Sequence, residues 1–117
     1  MGKFDELLES FVADMKKKSI GGAKIDQKVL HGAAKACGPS LYRKDSATVA
    51  CSDKEEMARI KKNFLVKKLG LDAENPKLDE ALKETCKEMG SSNRNKQRAV
   101  FYYLLIKRFK KSAMFKE

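Results

Sequence analysis

"GSSNRNKQRAVFYYLLIKRF", residues 90–109, places a polar turn and three cations, Arg94, Lys96 and Arg98, ahead of eight consecutive apolar residues, with no acid anywhere in the stretch. Two readings compete for the apolar run. Val100, Phe101, Tyr102, Tyr103 and Ile106 all have strand propensity. The run is flanked by Arg, Lys and Gln rather than Gly or Pro, however, and no other segment alternates with period two to supply a partner strand. A helix is therefore expected. Because it is apolar in every direction, it must be surrounded by other helices rather than lie on a surface. At roughly 1.5 Å rise per residue the belt is about 12 Å long, the width of one helix, so it crosses a single layer of neighbours and both basic ends reach solvent.

The surrounding helices can be read from period and punctuation. Phe4, Leu7, Leu8, Phe11, Val12 and Met15 form one helix face over residues 4–15, with acids early and Lys16, Lys17 and Lys18 late, as the helix dipole favours. "SIGG" at 19–22 breaks that pattern. A second helix is expected from Asp26 as N-cap to Cys37, with Ile25, Val29, Leu30, Ala33, Ala34 and Cys37 inward and Gly38-Pro39 as its stop. Residues 39–51, containing Leu41, Tyr42, "RKDSA" and Val49, give no firm element. Ser52, Asp53, Lys54 and Glu55 read as a capping box. Met57, Ile60, Phe64, Leu65 and Leu69 follow at helical spacing, closed by Gly70. Asn75-Pro76 opens a fourth helix whose Leu78, Ala81, Leu82 and Met89 face inward, with Cys86 slightly displaced, until Gly90. The expectation is an all-α fold: a single domain over 1–117, a compact array of about five helices with the last one central.

Composition agrees with one globular domain. The chain has 117 residues, 42% of them hydrophobic and 36% charged, enough for one core but not two. The longest apolar run is far below the ~20 residues of a membrane span, so no membrane association is expected. Cys37, Cys51 and Cys86 are odd in number and include no CxxC pair, and the N-terminus lacks a secretory apolar region. All three thiols are expected to be unpaired and inert, in a reduced cytoplasmic protein.

Three stretches carry a resemblance. "MGKFDELLESFVADMK", "CSDKEEMARIKKNFLVKKLGL" and "MGSSNRNKQRAVFYYLLIKRF" are similar to a family of small bacterial proteins of unknown function, and the likeness spans nearly the whole chain. The resemblance implies a compact helical array. It brings no activity, cofactor or catalytic residue with it.

Catalytic chemistry finds little support in the residues themselves. The one histidine, His31, has no neighbouring nucleophile signature and is expected at an ordinary surface or boundary position. The cysteines lack the paired spacing of a zinc site, and no phosphate-binding glycine motif is present, so no metal, cofactor or small-molecule substrate is expected. Glu55-Glu56 and Asp79-Glu80 read as early-turn acids on solvated faces. The expectation is a protein that is not an enzyme.

Charge is the stronger signal. The net charge is +10, and residues 1–52, 53–92 and 93–117 carry +3, 0 and +7. Lys107, Arg108, Lys110 and Lys111 suit a helix C-terminus. Arg94, Lys96 and Arg98 do not suit a helix start, where acids are favoured. With Ser92 and Asn93 they form a candidate anion or nucleic-acid site on the helix that begins after the Gly90 turn. The structural alternative is internal compensation by Glu84 or Glu88 across that turn. A helix-turn-helix comparison also arises, since Arg94, Asn95, Gln97 and Arg98 are base-reading side-chain types. A buried central helix cannot lie along a groove, so phosphate contact without base reading is favoured. The expected partner is nucleic acid or another polyanion, bound through Ser92, Asn93, Arg94, Lys96, Arg98, Lys107, Arg108, Lys110 and Lys111. The alternative partner is an acidic protein surface.

Overall fold

The computed structural model describes residues 3–17, 27–38, 48–90 and 97–111. They form five helices: α1 (Lys3–Lys17), α2 (Gln27–Cys37), α3 (Lys54–Ile60) with a π-helical continuation (Lys61–Val66), α4 (Lys77–Met89) and α5 (Arg98–Arg108). The fold is all-α. Among the described residues the one extended pairing is an isolated antiparallel bridge between Thr48 and Gln97.

α5 is the centre of the array, as its apolar belt requires. Ala99, Val100, Phe101, Tyr103, Leu104, Leu105 and Ile106 are all buried, and Tyr102 is half-buried. The helix packs chiefly on α2, then on α4, and also touches α1. The small residues Gly32, Ala33 and Ala34 are buried on α2 and allow its backbone to approach closely. Phe11 and Met15 bring the buried face of α1 to the same core, whereas Leu7, Leu8 and Val12 are only partly covered. Leu78, Ala81, Leu82, Thr85 and Met89 do the same for α4.

α3 ends its ordinary turns at Ile60 and widens. Leu69 N donates to Phe64 O at 2.9 Å and Lys67 N to Lys62 O at 3.2 Å, each reaching back five residues rather than four. The extra residue per turn brings Phe64 and Leu65, although adjacent, both to buried positions together with Ile60 and Leu69. Gly70 then closes the segment at φ 72°, a left-handed conformation that lacks the Cβ penalty only in glycine.

Two helix starts differ from expectation. The N-cap of α3 is Asp53, one residue after Ser52: its Oδ1 accepts from Glu55 N at 3.0 Å and from Glu56 N at 3.3 Å. A carboxylate caps as well as a hydroxyl and adds a charge suited to the dipole. α5 begins at Arg98 and not directly after Ser91-Ser92, because Gln97 is extended (φ −62°, ψ 128°) and pairs with Thr48. Arg94 and Lys96 therefore precede α5 rather than occupy its first turns. Ser92, Asn93, Arg94 and Lys96 lie outside the described residues, as do Asp26, Ile25, the 19–22 break, residues 39–47 and the side chain of Phe4.

Candidate functional site

α5 has no acid in its first turn and no side-chain cap at Gln97. The compensating charge comes from another helix. Arg98 Nη2 donates to Glu56 Oε1, and both side chains are largely out of water, 12% and 17% exposed. The same guanidinium reaches the Thr48 carbonyl and the Tyr102 hydroxyl, each at 3.4 Å. Glu56 is the third residue of α3, where its charge also suits that helix's start, so one carboxylate serves the N-terminal ends of two helices. Arg98 is thus compensated internally, by Glu56 rather than by Glu84 or Glu88.

Aromatic packing completes this cluster. Tyr102 stacks on Phe64 with ring centroids 4.0 Å apart and an interplanar angle of 19°. Burial raises the Tyr102 hydroxyl above its usual range, with Arg98 pulling in the opposite direction. For Arg98 itself, burial is the largest influence and lowers its pKa. The hydrogen bonds and charges of Tyr102 and Glu56 together outweigh it, and the guanidinium is held in its cationic form.

Cys37 is a free, buried thiol near this cluster. Burial pushes it from 9.0 up to about 12, against the pull of Arg98. The folded state therefore disfavours the thiolate, and this contribution to stability is complete below pH 9.0 and lost as the pH rises toward about 12. Urea denaturation at pH 8 and pH 11 is expected to show a larger alkaline loss of stability for the native chain than for Cys37→Ala. Equal losses in the two proteins would place the thiol in water.

The two other cysteines are not free. Cys51 and Cys86 are joined in a disulfide, with Cα atoms 6.1 Å apart, which corrects the expectation of three unpaired thiols. Cys86 sits on α4 and Cys51 in the segment ahead of α3, 35 residues earlier. The sequence hint was the displacement of Cys86 from the apolar face of α4, but no spacing rule links residues on two separate elements.

The opposite end of α5 divides its cations. Arg108 Nε donates to Thr85 Oγ1 at 3.1 Å, and its Nη2 to Glu88 Oε1 at 3.0 Å. Thr85, wholly buried, in turn donates to Ala81 O at 2.7 Å. Arg98 and Arg108 therefore fasten the two ends of α5 to α3 and α4. Lys107 and Lys110 are exposed and Lys111 half-exposed. Lys110 has φ 55°, and its amide donates to Lys107 O while that of Lys111 donates to Ile106 O, a C-terminal turn whose left-handed position normally takes glycine. Lys77 at the start of α4 meets Arg108, Phe109 and Lys110 around an open recess of about 390 Å³, with Glu80 on the same rim.

Elsewhere, α1 and α2 flank a wider groove of about 610 Å³, with Leu8, Val12 and Leu30 in its wall and half-buried His31 at its edge. His31 thus stands at a boundary position. Among the described residues no group of three His, Cys, Asp or Glu side chains converges as a metal site, and no helix is long and apolar enough to cross a membrane.

No curated protein matches this sequence. Residues 10–113 match the family described as "Protein of unknown function (DUF2853)", and a match over that much of a helical array makes this chain a member of that family.

Proposed function

We propose that this protein is a non-enzymatic binder of polyanions, with nucleic acid as the target, and that it works in the bacterial cytoplasm. The observation that carries the reading is the group of exposed cations where the end of α5 meets the start of α4. Lys107, Lys110 and the half-exposed Lys111 take part in none of the ion pairs among the described residues, and Lys77 and Arg108 line one recess with Lys110. Arg108 orders the surface by its bonds to Glu88 and Thr85, and the lysines act as point charges for phosphates. Arg94 and Lys96, with Ser92 and Asn93, belong to the same proposal at the other end of α5. Arg98 contributes less to it, since Glu56 already holds its charge. The bacterial part rests on the sequence resemblance; the cytoplasmic part rests on the excess of cations suited to nucleic acid and takes no support from the cysteines, two of which are paired.

Labelled DNA and RNA oligonucleotides titrated at two salt concentrations test the reading. Phosphate-driven binding must weaken steeply with salt, by a slope that counts the phosphates neutralised. Lys110→Gly separates binding from folding: it removes one cation and relieves the left-handed strain. It is expected to reduce the salt slope by about 1 while leaving stability equal or up to about 1 kcal/mol higher. No binding at low salt would overturn the proposal. Equal or tighter binding to polyglutamate would instead favour an acidic protein surface as the partner.

A further inference from the structure

We propose that the Cys51–Cys86 bond is a reversible redox clamp that holds the segment 48–53 against α4 and thereby secures the start of α5. The segment is not helical; Asp53 at its end caps α3 by accepting from Glu55 N, Glu56 N and Met57 N, and among the described residues the ties of 48–52 are few. Val49 is buried, Asp53 N donates to Ala50 O at 3.1 Å, Thr48 forms a single bridge with Gln97, and its carbonyl receives a long 3.4 Å contact from Arg98. The disulfide is the one covalent attachment among them, and it closes a separation of 35 residues that contains α3, its π-helical continuation and most of α4. Opening a bond across so long a loop returns conformational freedom to the segment least able to resist it. Cys51 and Cys86 pack against the edge of a core that runs from Phe11 to Ile106 and draws on every helix, so the bridge adds to that core and does not replace it. Cys51 and Cys86 are only half-buried, which places the bridge nearer to solvent than the buried Cys37, a thiol that burial also keeps from ionising.

The chemistry is a two-electron exchange with a dithiol. One reductant thiolate attacks a bridge sulfur, the Cys51–Cys86 bond breaks, and the departing sulfur takes up a proton. The second reductant thiol then attacks the mixed disulfide, so the reductant leaves as its own cyclic disulfide and the second cysteine is protonated. Oxidised glutathione re-forms the bond: one cysteine thiolate takes a glutathione sulfur as a mixed disulfide and releases one reduced glutathione, and the other cysteine then displaces the second. Among the described residues, reduction leaves the start of this segment held by the Thr48–Gln97 bridge, the Arg98 contact and the burial of Val49, and the change is transmitted through Gln97 and Arg98 to the first turn of α5. The inference does not depend on the polyanion reading.

Native-state hydrogen exchange on the full chain, oxidised and then reduced with dithiothreitol, tests the clamp. Reduction is expected to speed exchange of the Asp53 and Phe101 amides at least tenfold, while the amides of Leu105 and Ile106 change less than twofold. Alkylation should count no reactive thiols in the oxidised native chain and two in the reduced one. Unchanged exchange at Asp53, or a bond that resists dithiothreitol without denaturant, overturns the clamp. A uniform acceleration of all amides also overturns it, because that is the behaviour of a structural staple. Cys51→Ser and Cys86→Ser should each reproduce the reduced pattern and be insensitive to dithiothreitol. Failure of both variants to fold would likewise identify a staple.

Discussion

Arg98→Glu is expected to lower the unfolding free energy by about 3–5 kcal/mol, the scale found when one partner of a largely buried ion pair is removed. The substitution would set two carboxylates against each other where Arg98 and Glu56 now pair, with little water to screen them. It would also take a donor from the Thr48 carbonyl and the Tyr102 hydroxyl. One effect opposes the loss: an acid at the start of α5 gains about 0.3–1 kcal/mol from the helix dipole. That gain is several times smaller, so the variant should be destabilised. Urea denaturation measures it, and the charge-swapped double variant Arg98→Glu with Glu56→Arg should recover a substantial part of the loss. An unchanged or more stable Arg98→Glu would overturn the internal role of the guanidinium.

Phe101→Ala should cost about 3–5 kcal/mol, through lost transfer energy and the cavity left behind. Phe101 is 0% exposed on the helix that meets α1, α2 and α4, so its removal opens the space between packed helices rather than a surface. Leu104→Ala, at 3% exposed, should cost about 2–5 kcal/mol, the range typical of such a truncation. Denaturation midpoints of both variants read the effect. A loss of under about 1 kcal/mol for Phe101→Ala would show that α5 is not the centre of the array.

The helices themselves were legible because their signals act over short distances. Phe11 and Met15 on α1, Val29, Leu30, Ala33 and Ala34 on α2, and Leu78, Ala81 and Leu82 on α4 fall on apolar faces repeating every three to four residues, and all are buried. Gly38, Gly70 and Gly90 sit just beyond helix ends with positive φ, as their positions implied. The belt from Ala99 to Ile106 identified α5 as central, since a helix apolar on every side has to be covered. The π-helical widening at Lys61–Val66 was not legible, because the widened turn answers to what must be buried on both sides of Phe64 and Leu65 rather than to a residue signature.

The side-chain partnerships depended on how the helices cross. Composition and spacing determined that the start of α5 carries cations and lacks an acid, but the acid that answers Arg98 lies 42 residues away on α3. Arg108 looked like one of four equivalent cations, yet contacts to Thr85, 23 residues back, and to Glu88, 20 residues back, make it a fastening rather than a free charge. Cys51 and Cys86 pair across 35 residues for the same reason. Propensity, capping and amphipathic period act within about four residues along the chain, so the sequence by itself determined the helices, their buried faces and the location of the excess charge. Electrostatic and covalent pairing act across space, and only the packing of α3 and α4 against α5 decided which of those charges and thiols are engaged within the fold.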